Sequence, residues 1–137
     1  MKQSIERYCF IAPSDDPVKV KFNVDKMIVA GADFKLFNET GTKVIEHWKM
    51  TAEDKSFATK RLRTSVEELH LKKMSWHILC CSLSANVFSG VVGIEIIQED
   101  KICSMTIPAE KTLSNIPPCK LNIPDSYNGS LTFIIKK

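Results

Sequence analysis

The chain has 137 residues, 44% of them hydrophobic and 26% charged, with a formal net charge of +3. That is one domain's length, with ample material for a core and too little polarity bias for a disordered segment. The surplus of 19 basic over 16 acidic residues is too mild for a nucleic-acid partner, which wants a concentrated basic face.

Residues 5–12, rich in Ile, Tyr, Cys and Phe, predict a first strand. Ser14-Asp15-Asp16-Pro17 is turn chemistry, and it lacks the oxygen-ligand spacing of a calcium loop. Val18, Val20, Phe22 and Val24 then alternate with Lys19, Lys21 and Asn23. A period of two gives a strand with one dry and one wet face. Met27–Ala30 and Phe34–Phe37 read either as two short strands or as one strand bulged at Gly31. After the turn at Asn38–Thr42, alternation resumes over Lys43–Met50. Val44, Trp48 and Met50 share one side, His47 and Lys49 the other, and Ile45-Glu46 breaks the pattern.

Residues 51–73 are expected to be mostly loop. Ser65-Val66-Glu67-Glu68 carries an acid three positions after a hydroxyl, which suits one helical turn over 65–69. The alternative is a basic edge strand around Thr59–Arg63, because charge protects an edge. Ser75–Ser84 is apolar on both alternations, as in a central strand. Residues 87–98 and 102–107 form a hairpin across the polar turn Gln98–Lys101. Pro108–Pro118 reads as loop, Cys119–Ile123 as a short strand, Pro124–Gly129 as a turn and Ser130–Lys136 as the last strand. Turns recur about every ten residues, with no β-α alternation. The pattern predicts a single all-β domain, an antiparallel β-sandwich or jelly roll of about eight strands with at most one short helix.

The five cysteines are Cys9, Cys80, Cys81, Cys103 and Cys119. Their number is odd and no C-x-x-C occurs, so zinc ribbons and thioredoxin-type redox motifs are not expected. Cys80 and Cys81 are adjacent on a strand and point to opposite faces. Most of these thiols are expected to be small buried hydrophobes, with Cys103 and Cys119 as the pair placed to bridge under oxidising conditions. The start, MKQSIERYCFIAPS, lacks the apolar run of a signal peptide. No window approaches a membrane span. A cytoplasmic protein is expected, unless a leader has been removed. The triplets Asn38-Glu39-Thr40 and Asn128-Gly129-Ser130 fit the glycosylation pattern but sit in expected turns, where Asn is favoured anyway.

Chemistry-bearing motifs are absent. No Gly-rich phosphate loop, nucleophile elbow or zinc-binding His pair occurs. His47 and His77 could meet only if their strands neighbour each other. Glu95, between Ile94 and Ile96, is expected to face outward. No enzyme activity, cofactor or metal is therefore expected. The leading expectation is a non-enzymatic interaction module, either self-associating (as a dimer) or bound to a protein partner, with no nucleic-acid or membrane role. Its contacts are expected on the loops 51–65 and 108–118 or on a sheet edge, with Lys60, Arg61 and Arg63 meeting an acidic partner. The alternatives are a lectin-like carbohydrate binder stacking sugars on Trp76 or Tyr127, and a small enzyme or thiol sensor built on Cys103 or Cys81.

Overall fold

The computed structural model describes residues 8–13, 16–25, 27–52, 57–84, 88–98, 101–107, 112–116, 119 and 125–135. They form an all-β chain. Ten strands are described: β1 (Tyr8–Ile11), β2 (Lys19–Val24), β3 (Ile28–Phe37), β4 (Val44–Ala52), β5 (Phe57–Arg61), β6 (Lys73–Ser82), β7 (Phe88–Gln98), β8 (Lys101–Ile107), β9 (Thr112–Ile116) and β10 (Asp125–Ile135). One three-residue 3-10 turn, Glu67–Leu69, lies between β5 and β6. The strands make two five-stranded sheets. The first runs β1-β10-β6-β3-β4; the second runs β5-β2-β7-β8, with β9 also paired to β7. All pairs are antiparallel except β1 with β10, which is parallel.

Alternation in the sequence decides what each sheet buries. Val18, just before β2, and Val20, Phe22 and Val24 within it are all buried, as are Ile94 and Ile96 of β7. In the other sheet Ile28, Ala30, Ala32, Phe34 and Leu36 of β3 are buried beside Met74, Trp76, Ile78 and Cys80 of β6. These side chains form one continuous core. Phe22 and Phe34 meet edge-to-face across it, with ring centroids 6.3 Å apart. Leu69 of the 3-10 turn and Val66 at its N-cap are buried in the same core. Ser65 Oγ accepts the Glu68 amide at 3.3 Å, so the expected helix start does hold one turn.

Several expectations change in detail. Residues 28–37 are one unbroken strand; the irregularity in its pairing with β4 falls between Leu36 and Phe37, not at Gly31. β6 is central in its sheet, between β10 and β3, but only one of its faces is covered, since Leu79 on the other face is 43% exposed. The expected loop 108–118 contains β9. Of the expected turn at 124–129, residues 125–129 belong to β10, so Asn128 sits within a strand. The alternative basic edge strand is present as β5, the outermost strand of its sheet. Of the expected strand 119–123, only Cys119 lies within the described residues.

The cysteine pairing differs too. Cys119 is bonded to Cys81, not to Cys103, while Cys9 and Cys80 are buried and outside any disulfide. Cys81 can do this because it points away from the core while Cys80 points into it, as adjacent strand residues must. The bridge ties the segment between β9 and β10 to β6.

Gly129 has a specific packing reason. It sits directly opposite Trp76, and the indole lies across it. A Cβ built on Gly129 would fall 2.5 Å from Trp76 Cζ2. At Gly31 the nearest atom to such a Cβ is Thr51 Cγ2 at 3.9 Å, an ordinary contact. Gly129→Ala is therefore expected to destabilise by about 1–3 kcal/mol through overpacking. Gly31→Ala should be neutral or mildly stabilising, because alanine loses less chain entropy on folding. Urea denaturation of the two variants side by side checks this difference in sign.

Candidate functional site

Two sheets facing each other leave two open sides, and each side here is bridged by one polar side chain. On one, Gln98 at the end of β7 pairs with the main chain just after β1. Its Nε2 donates to the Ala12 carbonyl at 2.5 Å, and its Oε1 accepts the Ala12 amide at 2.9 Å. The expected polar turn at Gln98 is thus a buried bridge. On the other side, Glu46 of β4 reaches the segment that follows β5. Its carboxylate accepts the Arg63 amide at 3.0 Å, the Thr64 amide at 3.0 Å and the Thr64 hydroxyl at 2.7 Å. Leu62, between those contacts and β5, is buried and donates its amide to Val18 at 2.9 Å.

The Glu46 side carries the candidate site. β4 and β5 are the outer strands of their respective sheets on this side. Lys60 sits opposite Val20, so its side chain leaves β5 on the core side of the sheet and turns toward Glu46. Arg61 pairs with Lys19 on the outer face, and Arg63 is exposed just beyond the strand. Two shallow cavities meet here and share Arg63 and Thr64. One, of about 640 Å³, runs along 61–67 with Pro17. The other, of about 390 Å³, lies between β4 and β5 and is lined by Glu46, Trp48, Lys60, Arg63 and Glu68 among others. Val44 and Ile45, which are 42% and 41% exposed, stand at the start of β4 beside it.

Burial pushes the Glu46 carboxyl up, but the Arg63 amide, the hydroxyl and amide of Thr64, and the Lys60 charge outweigh it and hold the group below the usual 4.5. The sign for stability follows. A carboxyl with a lowered folded pKa adds stability that is fully present above its unfolded pKa and is lost as pH falls through the folded value. Glu46→Gln leaves one of the two amides without a carboxylate oxygen. The expected loss is about 1–3 kcal/mol. The gap between wild type and variant should be widest above about pH 5 and close as the solution is acidified. Denaturant midpoints taken from pH 7 downward measure it.

Trp48 is the unusual member of the site. It is 9% exposed and stacks flat on Phe34, with centroids 5.3 Å apart and planes 3° from parallel. The core role expected from its alternation holds. Its indole Nε1, however, is buried without a hydrogen-bond partner among the described residues.

The other sequence-derived candidates fall elsewhere. Trp76 is 4% exposed and packs over Gly129, which removes it as a stacking platform for a sugar. Tyr127 lies in β10, with its side chain outside the described residues. Cys81 is in a disulfide and offers no thiol for nucleophilic or sensing chemistry while that bond stands. Cys103 is in β8, its side chain likewise outside the described residues. Glu95 faces away from Ile94 and Ile96, as expected, and is half-buried. His47 and His77 do not lie on paired strands; both flank β3, with Asp33 between them. His47 Nε2 meets Asp33 Oδ1 at 2.5 Å, and His77 Nδ1 contacts Asn128 Oδ1. Among the described residues, no group of three or more His, Cys, Asp or Glu side chains is arranged to hold a metal ion. No helix among them is long and apolar enough to cross a membrane.

Three features of this site were missed from sequence: Glu46, Thr64 and the Trp48 N–H. A signal for the first was present, since Glu46 interrupts the alternation of its strand. An acid on the dry side next to Trp48 must find donors, and the chain supplies them from Arg63 and Thr64. In comparisons with known proteins, the chain matches no family model, no curated protein and no solved structure.

Proposed function

We propose that this chain is a non-enzymatic binding module that receives an acidic segment of a partner protein along its β4–β5 side. The observation that carries this reading is that Lys60 and Arg63 stand together on the cavity between β4 and β5, beside the exposed start of β4, with Arg61 adjoining on the outer face of the edge strand. Edge strands present unpaired main-chain groups to which an extended segment can add. Clustered basic side chains at the rim select an acidic one and speed its approach.

Of the two partners expected from sequence, a different protein is favoured over a second copy at this edge. A twofold dimer would set the same basic residues against themselves, and like charges there repel. The compartment bears on the fold as well. The Cys81–Cys119 bond persists in oxidising surroundings and is opened by a reducing cytosol. A reducing compartment would therefore leave the segment at Cys119 untied.

Calorimetric titration with an end-capped hexaglutamate peptide tests the reading. Saturable binding at low salt is expected, weakening as salt screens the rim charges. Arg63→Glu should lower the affinity about tenfold or more. Absence of binding, or binding indifferent to Arg63→Glu, would overturn it.

A further inference from the structure

We infer that the unpartnered indole N–H of Trp48 is the donor that recognises a carboxylate, which an acidic side chain of the partner delivers between Lys60 and Arg63. This inference rests on the binding reading above and names the group that the site takes.

Buried donors are almost always paired, and an unpaired one is a standing cost to the free protein. The Trp48 ring lies flat against Phe34, and turning it toward another acceptor would give up that stacking. The nearest acidic group on its own face, Glu46, has its carboxylate committed to Arg63 and Thr64. Glu68 also lines the cavity but makes no bond to the indole, so no described residue supplies the acceptor. Trp48 lines the cavity between β4 and β5 together with Lys60 and Arg63. Both basic side chains are long and turn about several bonds. They can swing aside, admit a group to the indole, and close on it without any strand moving. An anionic acceptor satisfies all three donors at once, and a carboxylate has two oxygens to share among them. A neutral carbonyl would pair with the indole but gain nothing from the positive charge of Lys60 and Arg63.

The sequence has two tryptophans, so a proton–nitrogen correlation spectrum contains two indole signals. Trp48→Phe or Trp76→Phe assigns them, and the second route serves if the first variant does not fold. Wild-type protein is titrated with capped hexaglutamate, with sodium acetate, and with sodium chloride at matched ionic strength. A saturable downfield shift of the Trp48 indole proton with the peptide, absent with chloride, is expected, while the Trp76 signal stays in place. The same shift with acetate also supports the inference and shows that the carboxylate alone suffices. Trp48→Phe keeps the stacked ring and removes the N–H. It should weaken the peptide about fivefold to tenfold, and a denaturant melt run beside it checks that the variant is folded, since the smaller ring also empties core volume. If backbone amides over 60–64 shift and the Trp48 indole does not, the inference falls and the binding reading stands. If nothing shifts, both fall.

Discussion

Replacing Cys81 and Cys119 together by serine should lower the free energy of unfolding by about 3–4 kcal/mol. The two residues are 38 apart in sequence, and closing a loop of that length removes entropy of this order from the unfolded chain. The effect is large because the bond fastens the segment between β9 and β10, where the chain passes from one sheet to the other. Guanidinium melts with and without reductant measure it: reductant should move the wild-type midpoint and leave the double-serine variant unmoved. A thiol count adds an independent check. Of five cysteines, two form the bridge, so the denatured, unreduced chain should show three reactive thiols. Five would mean that the bridge does not form.

The second large effect is expected at Phe34. It is fully buried, meets Phe22 across the two sheets and stacks under Trp48. Phe34→Ala should cost about 3–5 kcal/mol, the range for emptying an aromatic site in a core that relaxes only in part. Phe34 also holds the Trp48 ring in place, so the same change should loosen the candidate site. Near-ultraviolet circular dichroism reports that loosening, and a denaturant melt reports the cost. A loss below about 1 kcal/mol, within the range of ordinary surface changes, would mean that the two sheets do not share a core at this point.

Much of the fold was legible because period-two alternation is a local property. Val18 and the buried residues of β2, the Trp48–Met50 side of β4 and Leu131 with Phe133 in β10 could each be assigned to a buried face from neighbours in the chain. The short 3-10 turn was legible from Ser65 and Glu68 for the same reason. Which strands lie side by side depends on contacts between residues far apart in sequence, and no local pattern encodes them. The parallel pairing of β1 with β10 is one example. The partner of Cys119 is another, because the nearer candidate, Cys103, was not the one that three-dimensional packing brought close.

The site was legible only in its charges. Lys60, Arg61 and Arg63 stood out as a cluster, and the structure places them on an open edge. Glu46 and Gln98 looked like strand or turn residues of no special role, since each acts by reaching main-chain groups in a distant segment. Polar bridges of this kind depend on where the partner backbone passes. Trp76 failed in the opposite way. Both faces of its segment are apolar, so alternation could not say which way the ring points. The register with Gly129 decides it, because a glycine opposite leaves the indole room to lie flat within the core.

The most direct test of the β4–β5 side as the working face is a backbone amide shift map of the uniformly labelled protein on adding capped hexaglutamate at low salt. Shifts should gather over residues 44–48 and 60–68 and should vanish in Arg63→Glu. Shifts confined to the outer face of the first sheet, around Asp33, His77 and Asn128, would contradict the assignment, as would an unchanged spectrum at millimolar peptide.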